Sequence, residues 1–232
     1  MTWMETERAA LVDTFRDADP DADTLCEGWT VRHLLAHLVL REHRPVRNAV
    51  ELAARRPPGR ELFLGSVVER ARTPAGYAAL LQRFAGGMSA ANPVSWPGDG
   101  AHLLEYVIHH EDVRRGGDEP AEARVLPPDE VRAIWARLAP FAKLGYRRSP
   151  VGVVLAVPGG PRAVVRRAAD AVVLTGDPVE LALHASGRRT AADVEVMGRP
   201  KTVERFLDHF AGDPDQQPGQ GRARSGDFSP RR

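Results

Sequence analysis

Two stretches of this 232-residue chain carry residue types and spacings that can do chemistry. In "LLEYVIHHEDVRRG" (103–116), Glu105 and His109 are four apart. On a helix they point the same way, one turn apart. In "HLLAHLVLREH" (33–43), His33 and His37 share that spacing. Imidazole and carboxylate together suit a divalent cation. One histidine of the second stretch joined to Glu105 and His109 would make a His₂Glu set with a position left open. The spacing leaves other readings open. The arc of His102, Glu105 and His109 also fits the solvated side of a half-buried helix. His33 and His37, flanked by leucines, also fit structural histidines. Glu42 falls near the centre of the apolar arc of Leu34, Leu35 and Leu38, so a buried Glu42 paired with an arginine competes for that face. His110, Asp112, Arg114 and Arg115 are placed to orient a ligating histidine through its free nitrogen. For both arginines the simpler reading is a cation near a helix C-terminus.

These residues need elements to hold them. Residues 3–18 predict an amphipathic helix, with Leu11, Val12 and Phe15 on one stripe. Thr30 is the expected N-cap of a helix from Val31 to about Arg55, interrupted by Pro45. The "GWT" before it places a tryptophan over the first turn, as a lid or a staple contact. "RRPPGR" reads as a turn, 60–72 and 74–90 as further helices, and "GGMSAANPVSWPGDG" as a loop. Residues 101–114 predict the helix that carries Glu105 and His109, stopped by Gly116 and Gly117. "LPPDEVRAIWARLAPFAKLGY" starts another. The texture then turns β-rich: "VGVVLAV", "RAVVRR", "AVVLT" and "VEVMG", with short helices after "GDP" and at "TVERFLDHF".

The expected fold is therefore a two-domain α+β chain. An up-down helical bundle spans 1–147, a small α+β domain spans 148–211, and 212–232, with almost nothing apolar, is expected to be disordered. Net charge is +1, with acidic and basic residues interspersed, which argues against nucleic acid as a partner. No apolar run approaches the roughly 18 residues a membrane span needs, and the N-terminus lacks a signal-peptide core, so a cytoplasmic protein is expected. Cys26 is the single cysteine. It excludes an intrachain disulfide and reads as an inert, partly buried thiol.

"GWTVRHLLAHL" followed some way on by "EYVIHHEDVRR" resembles the mycothiol-dependent maleylpyruvate isomerase group, within the wider DinB-like metal-binding helical bundles. "LTGDPVELALHASGR" falls where that family carries a sterol-carrier-like module. The resemblance covers about residues 5–210. It implies a divalent metal, commonly zinc, held by His37, Glu105 and His109, and it chooses His37 over His33. It implies a low-molecular-weight thiol such as mycothiol as cofactor, an actinobacterial source, and partners limited to a small-molecule substrate and the thiol, in a monomer or homodimer. "REHRP" resembles a branch described only by metal binding. The implied chemistry is thiolate attack on an activated alkene of a maleyl-type acid, then rotation and elimination. Arg188, Arg189 and His110 are candidates to hold the substrate carboxylate. A non-catalytic metal-binding module and a metal-dependent hydrolase are the alternatives.

Overall fold

The computed structural model describes residues 2–54, 56, 60–88, 99–117 and 121–211. The expected disordered tail at 212–232, much of the 86–100 loop and most of the "RRPPGR" turn lie outside these residues. Helices α1 (Trp3–Asp17), α2 (Val31–His43), α3 (Pro45–Ala54), α4 (Leu64–Arg70), α5 (Pro74–Ala85), α6 (Asp99–Arg114) and α7 (Pro128–Gly145) come first. They are followed by β1 (Gly152–Ala156), β2 (Arg162–Arg166), β3 (Ala171–Thr175), α8 (Pro178–Ala185), β4 (Glu195–Met197) and α9 (Pro200–Ala211). The chain is mixed α+β, as its pattern predicts. The long second helix divides at Pro45, which opens α3. Proline has no N–H to continue the ladder, and it suits a first turn.

The sheet runs β2-β1-β3-β4. β1 pairs antiparallel with β2 and parallel with β3, and β3 pairs antiparallel with β4. A "PGGP" hairpin with Gly159 at positive φ joins β1 to β2.

Helix α6 is the hub of the molecule. Leu103, Leu104, Val107 and Ile108 pack into an apolar cluster with α7, the sheet, α8 and α9. Tyr106 and Val113, on another arc, join the second cluster with α1, α2, α4 and α5. A helix apolar on two sides is buried nearly all round. His102, His109, His110, Glu111 and Asp112 are all buried too. The reading of that polar arc as solvated is therefore corrected: tertiary packing on both flanks buries His102 and His109 and leaves only Glu105 partly exposed, and each buried polar group must find a partner.

The segment between α1 and α2 is laid against the end of α6. Leu25 donates its N–H to the Asp112 carbonyl at 3.0 Å. A Cβ on Gly116 would stand 2.2 Å from the Thr24 Cα, so only glycine permits this approach. Gly28, at φ 75°, turns the chain so that Trp29 donates to the Cys26 carbonyl at 2.9 Å. Cys26 and Trp29 are thereby set beside His109 and His37.

Candidate metal centre

Helix α2 delivers His37 and helix α6 delivers Glu105 and His109. Their ligand atoms all lie within 4.8 Å of one another. Glu105 Oε1 stands 3.4 Å from His37 Nε2 and 3.2 Å from His109 Nε2. For a tetrahedral cation with bonds of about 2.05 Å, neighbouring donors should be about 3.3 Å apart. Both oxygen–nitrogen distances match that spacing, and the two nitrogens lie within 4.8 Å of each other. Both histidines are buried, while the Glu105 side chain is 25% exposed, so the cluster opens to solvent through the carboxylate.

Each ligand candidate is braced from behind. Nδ1 of His109 lies 2.8 Å from Asp112 Oδ2. An ionised carboxylate only accepts, so the imidazole donates there and keeps Nε2 for the cluster. Arg188, from the segment after α8, grips Asp112 with Nε to Oδ1 at 2.9 Å and Nη2 to Oδ2 at 2.7 Å. Trp29 packs against His37, ring centroids 5.3 Å apart. Arg41, one turn beyond His37, places Nε 3.4 Å from Glu105 Oε1 and Nη1 3.0 Å from His102 Nδ1.

The electrostatics follow from these contacts. Burial raises the cost of ionising Glu105, but hydrogen bonds from His109 and His37 and the nearby Arg41 charge hold its carboxyl well below the usual range. Burial pushes His37 down, so its imidazole is neutral. Burial acts the same way on His109, yet Asp112, Cys26 and Glu105 together hold it well above the ordinary histidine value. Asp112 is held far below the usual range: the Arg188 charge and the His109 bond overcome its burial.

A second trio of possible ligands, Cys26, His109 and Asp112, lies next door. The guanidinium of Arg188 occupies that corner, 2.8 Å from Cys26 Sγ and 2.7 Å from Asp112 Oδ2. The cation position there is taken by the protein itself.

Other sequence candidates sit elsewhere. His33 caps its own helix, its Nδ1 accepting from the Thr30 N–H at 3.3 Å. Glu42 is fully buried against Arg8 (3.2 Å) and the Tyr106 hydroxyl, the arginine-paired use expected of that face. His110, a candidate for the substrate carboxylate, is instead buried against Glu7 (2.8 Å) and Thr14 (2.7 Å). The 100° turn between neighbouring helical residues sends His109 towards α2 and His110 towards α1. Arg188, offered for the same role, is spent on Asp112, and Arg189 lies over Phe210, 3.9 Å from its centroid. Arg115 does more than favour the helix dipole: it reaches across to Glu180 of α8 at 2.6 and 3.0 Å. Arg41 was missed by sequence reasoning. Its one signal was the i,i+4 spacing from His37.

A helical bundle whose second helix and hub helix converge on an imidazole–carboxylate cluster, backed by a small mixed sheet, defines the fold class. Comparison with known proteins agrees. Residues 4–94 match the family model described as the mycothiol maleylpyruvate isomerase N-terminal domain. The match includes His37 and ends before Glu105. Two solved structures share the fold. The mycothiol-dependent maleylpyruvate isomerase has 19% identity and a TM-score of 0.51, and a histidine-to-alanine variant of that enzyme has 18% and 0.50. Each alignment covers 85% of this chain and 91% of the other. Sequence comparison with curated proteins finds no match. Among the described residues no helix is long and apolar enough to cross a membrane.

Proposed function

We propose that this chain is a divalent-metal enzyme of the thiol-dependent isomerase or transferase type, acting on a small electrophilic acid with mycothiol or a similar small thiol. The observation that carries the reading is the Glu105 oxygen set between the His37 and His109 nitrogens at zinc-like spacing. His37, Glu105 and His109 would hold the metal, with zinc the ion their donor atoms suit best. A divalent ion there supplies Lewis acidity and favours the ionised form of a thiol.

The protein's own residues account for the rest. Asp112 holds the His109 proton on Nδ1, so a metal would be taken at Nε2, in exchange for the proton that Nε2 shares with Glu105. Arg188 carries that constraint from the C-terminal segment into the helical site. Trp29 screens one side of His37 from water. Arg41 now shares Glu105 with the histidines. Once the charge of Glu105 is engaged elsewhere, its guanidinium is released to take a substrate carboxylate, which favours an anionic substrate.

The test is metal analysis of the purified chain beside His37→Ala and Glu105→Ala, followed by turnover of maleylpyruvate with and without mycothiol. Loss of metal in both variants, with thiol-dependent turnover in the parent, is expected. Unchanged metal content in both variants would remove the site. Bound metal without thiol-dependent turnover would leave a metal-binding module in place of the enzyme.

A further inference from the structure

A concavity lies away from the histidine–carboxylate cluster, between α2, α3, α4 and α5, with a volume of about 540 Å³. That is within the range of small-molecule sites, roughly 300–1,000 Å³. None of His37, Arg41, Glu105 or His109 lines it. Helix α2 serves both places: His37 and Arg41 face one way, while Val39, Leu40 and His43 face the cavity.

Its lining has two parts. The floor is apolar, made by Leu40 of α2, Phe63, Val67 of α4, and Ala71 and Leu80 at the buried edge. The rim is cationic: Arg44 and Arg47 come from the α2–α3 junction, Arg70 from α4 and Arg83 from α5. No carboxylate is among the lining residues, and among the described residues no ion pair engages any of the four arginines. Arg72 beside them shows the ordinary alternative, since it pairs with Glu69 at 2.7 Å. Arg47 stacks over Phe63, 5.4 Å from its centroid, which joins the charged rim to the apolar floor.

The chain as a whole carries a formal charge of only +1, so four unneutralised guanidinium groups around one cleft are a local excess. Like charges on the walls of a low-dielectric cleft focus a field that attracts anions. Guanidinium presents paired N–H donors that match an oxyanion, and the floor offers apolar surface for the remainder of a ligand. We propose that this cavity binds a small amphipathic anion, with its oxyanion head on the arginine rim and its apolar body on the α2–α4–α5 floor.

The test is calorimetric titration of the full chain with decanoate, with 1-decanol and with inorganic phosphate. The Arg47→Gln/Arg70→Gln double variant is run in parallel. Both substitutions are of exposed side chains, so folding is preserved, and metal content checks that the other site is untouched. Decanoate should bind at least about tenfold more tightly than either the alcohol or phosphate. The double variant should weaken decanoate about tenfold and leave the alcohol unchanged. Raising the salt should weaken decanoate only. Equal binding of decanoate and decanol, an unchanged double variant, or no decanoate binding at millimolar concentration would each overturn the proposal. Binding to anionic phospholipid vesicles without binding of decanoate would also overturn it and assign the arginines to a lipid surface.

Discussion

Two clusters of buried ionisable groups hang from helix α6, and they differ in what neutralises them. On the side facing α1 and α8, Glu7, Glu111 and Glu180 meet Arg124, Arg115 and His110. Each of those carboxylates has a guanidinium within 3.0 Å. On the side facing α2, Glu105 has two imidazole nitrogens and a single guanidinium at 3.4 Å. The first cluster is closed: its charges are paired and its donors are spent. The second aims two imidazole Nε2 atoms and a carboxylate oxygen at one point. His109 and His110 are chain neighbours, yet one belongs to each cluster. Residue type therefore does not distinguish a ligand from a structural group, whereas the identity of the counter-charge does.

The largest effect that would sharpen this contrast is in the closed cluster. Glu111→Ala removes the carboxylate shared by Arg115, Arg124 and Arg114 and leaves buried Arg115 and Arg124 with only Glu180 and Glu7. It should cost about 3–5 kcal/mol, read as a large drop in thermal midpoint, with metal binding retained by whatever remains folded. A loss of metal without a loss of stability would break the comparison.

Next comes pH. Burial alone would raise the Glu7 carboxyl, but hydrogen bonds from His110 and Arg124 lower it from 4.5 to about 2. A depressed carboxylate stabilises the fold above its unfolded value. That stability should fade as pH falls from about 4.5 to about 2, by about 3 kcal/mol in all. Denaturant midpoints across that range should fall less steeply in Glu7→Gln than in the parent. Parallel curves would remove Glu7 from the account.

A smaller effect links the two halves of the molecule. Arg188→Lys keeps the charge on Asp112 and loses the two-pronged grip. Metal affinity should fall roughly 10- to 100-fold, in the range typical of groups that orient ligands. Unchanged affinity would mean that the C-terminal segment does not brace the centre.

The smallest effect separates the two α2 histidines. His33→Ala should cost on the order of 1 kcal/mol or less, the value of a helix cap, and leave metal content intact. Metal loss there would exchange the roles of His33 and His37.

Much of the architecture was legible in the chain. Pro45, Pro74 and Pro128 open helices, as proline with its missing N–H should. The β-rich "VGVVLAV" and "RAVVRR" became a hairpin. The spacing of Glu105 and His109 put both on one face of a helix. What periodicity could not show was burial of the polar arc, because α6 is covered from both sides by elements distant in sequence. Partners such as Glu180 for Arg115, Asp112 for Arg188 and Arg41 for Glu105 were hidden for the same reason.

The sequence by itself determined the elements, their caps and turns, and which side chains share a helical face, since these depend on neighbours three or four residues away. Only the tertiary structure decided which of those side chains met a guanidinium and which met another lone pair. That choice depends on the approach of helices 60 to 80 residues apart in the chain, and burial then makes each pairing too costly to leave unmade.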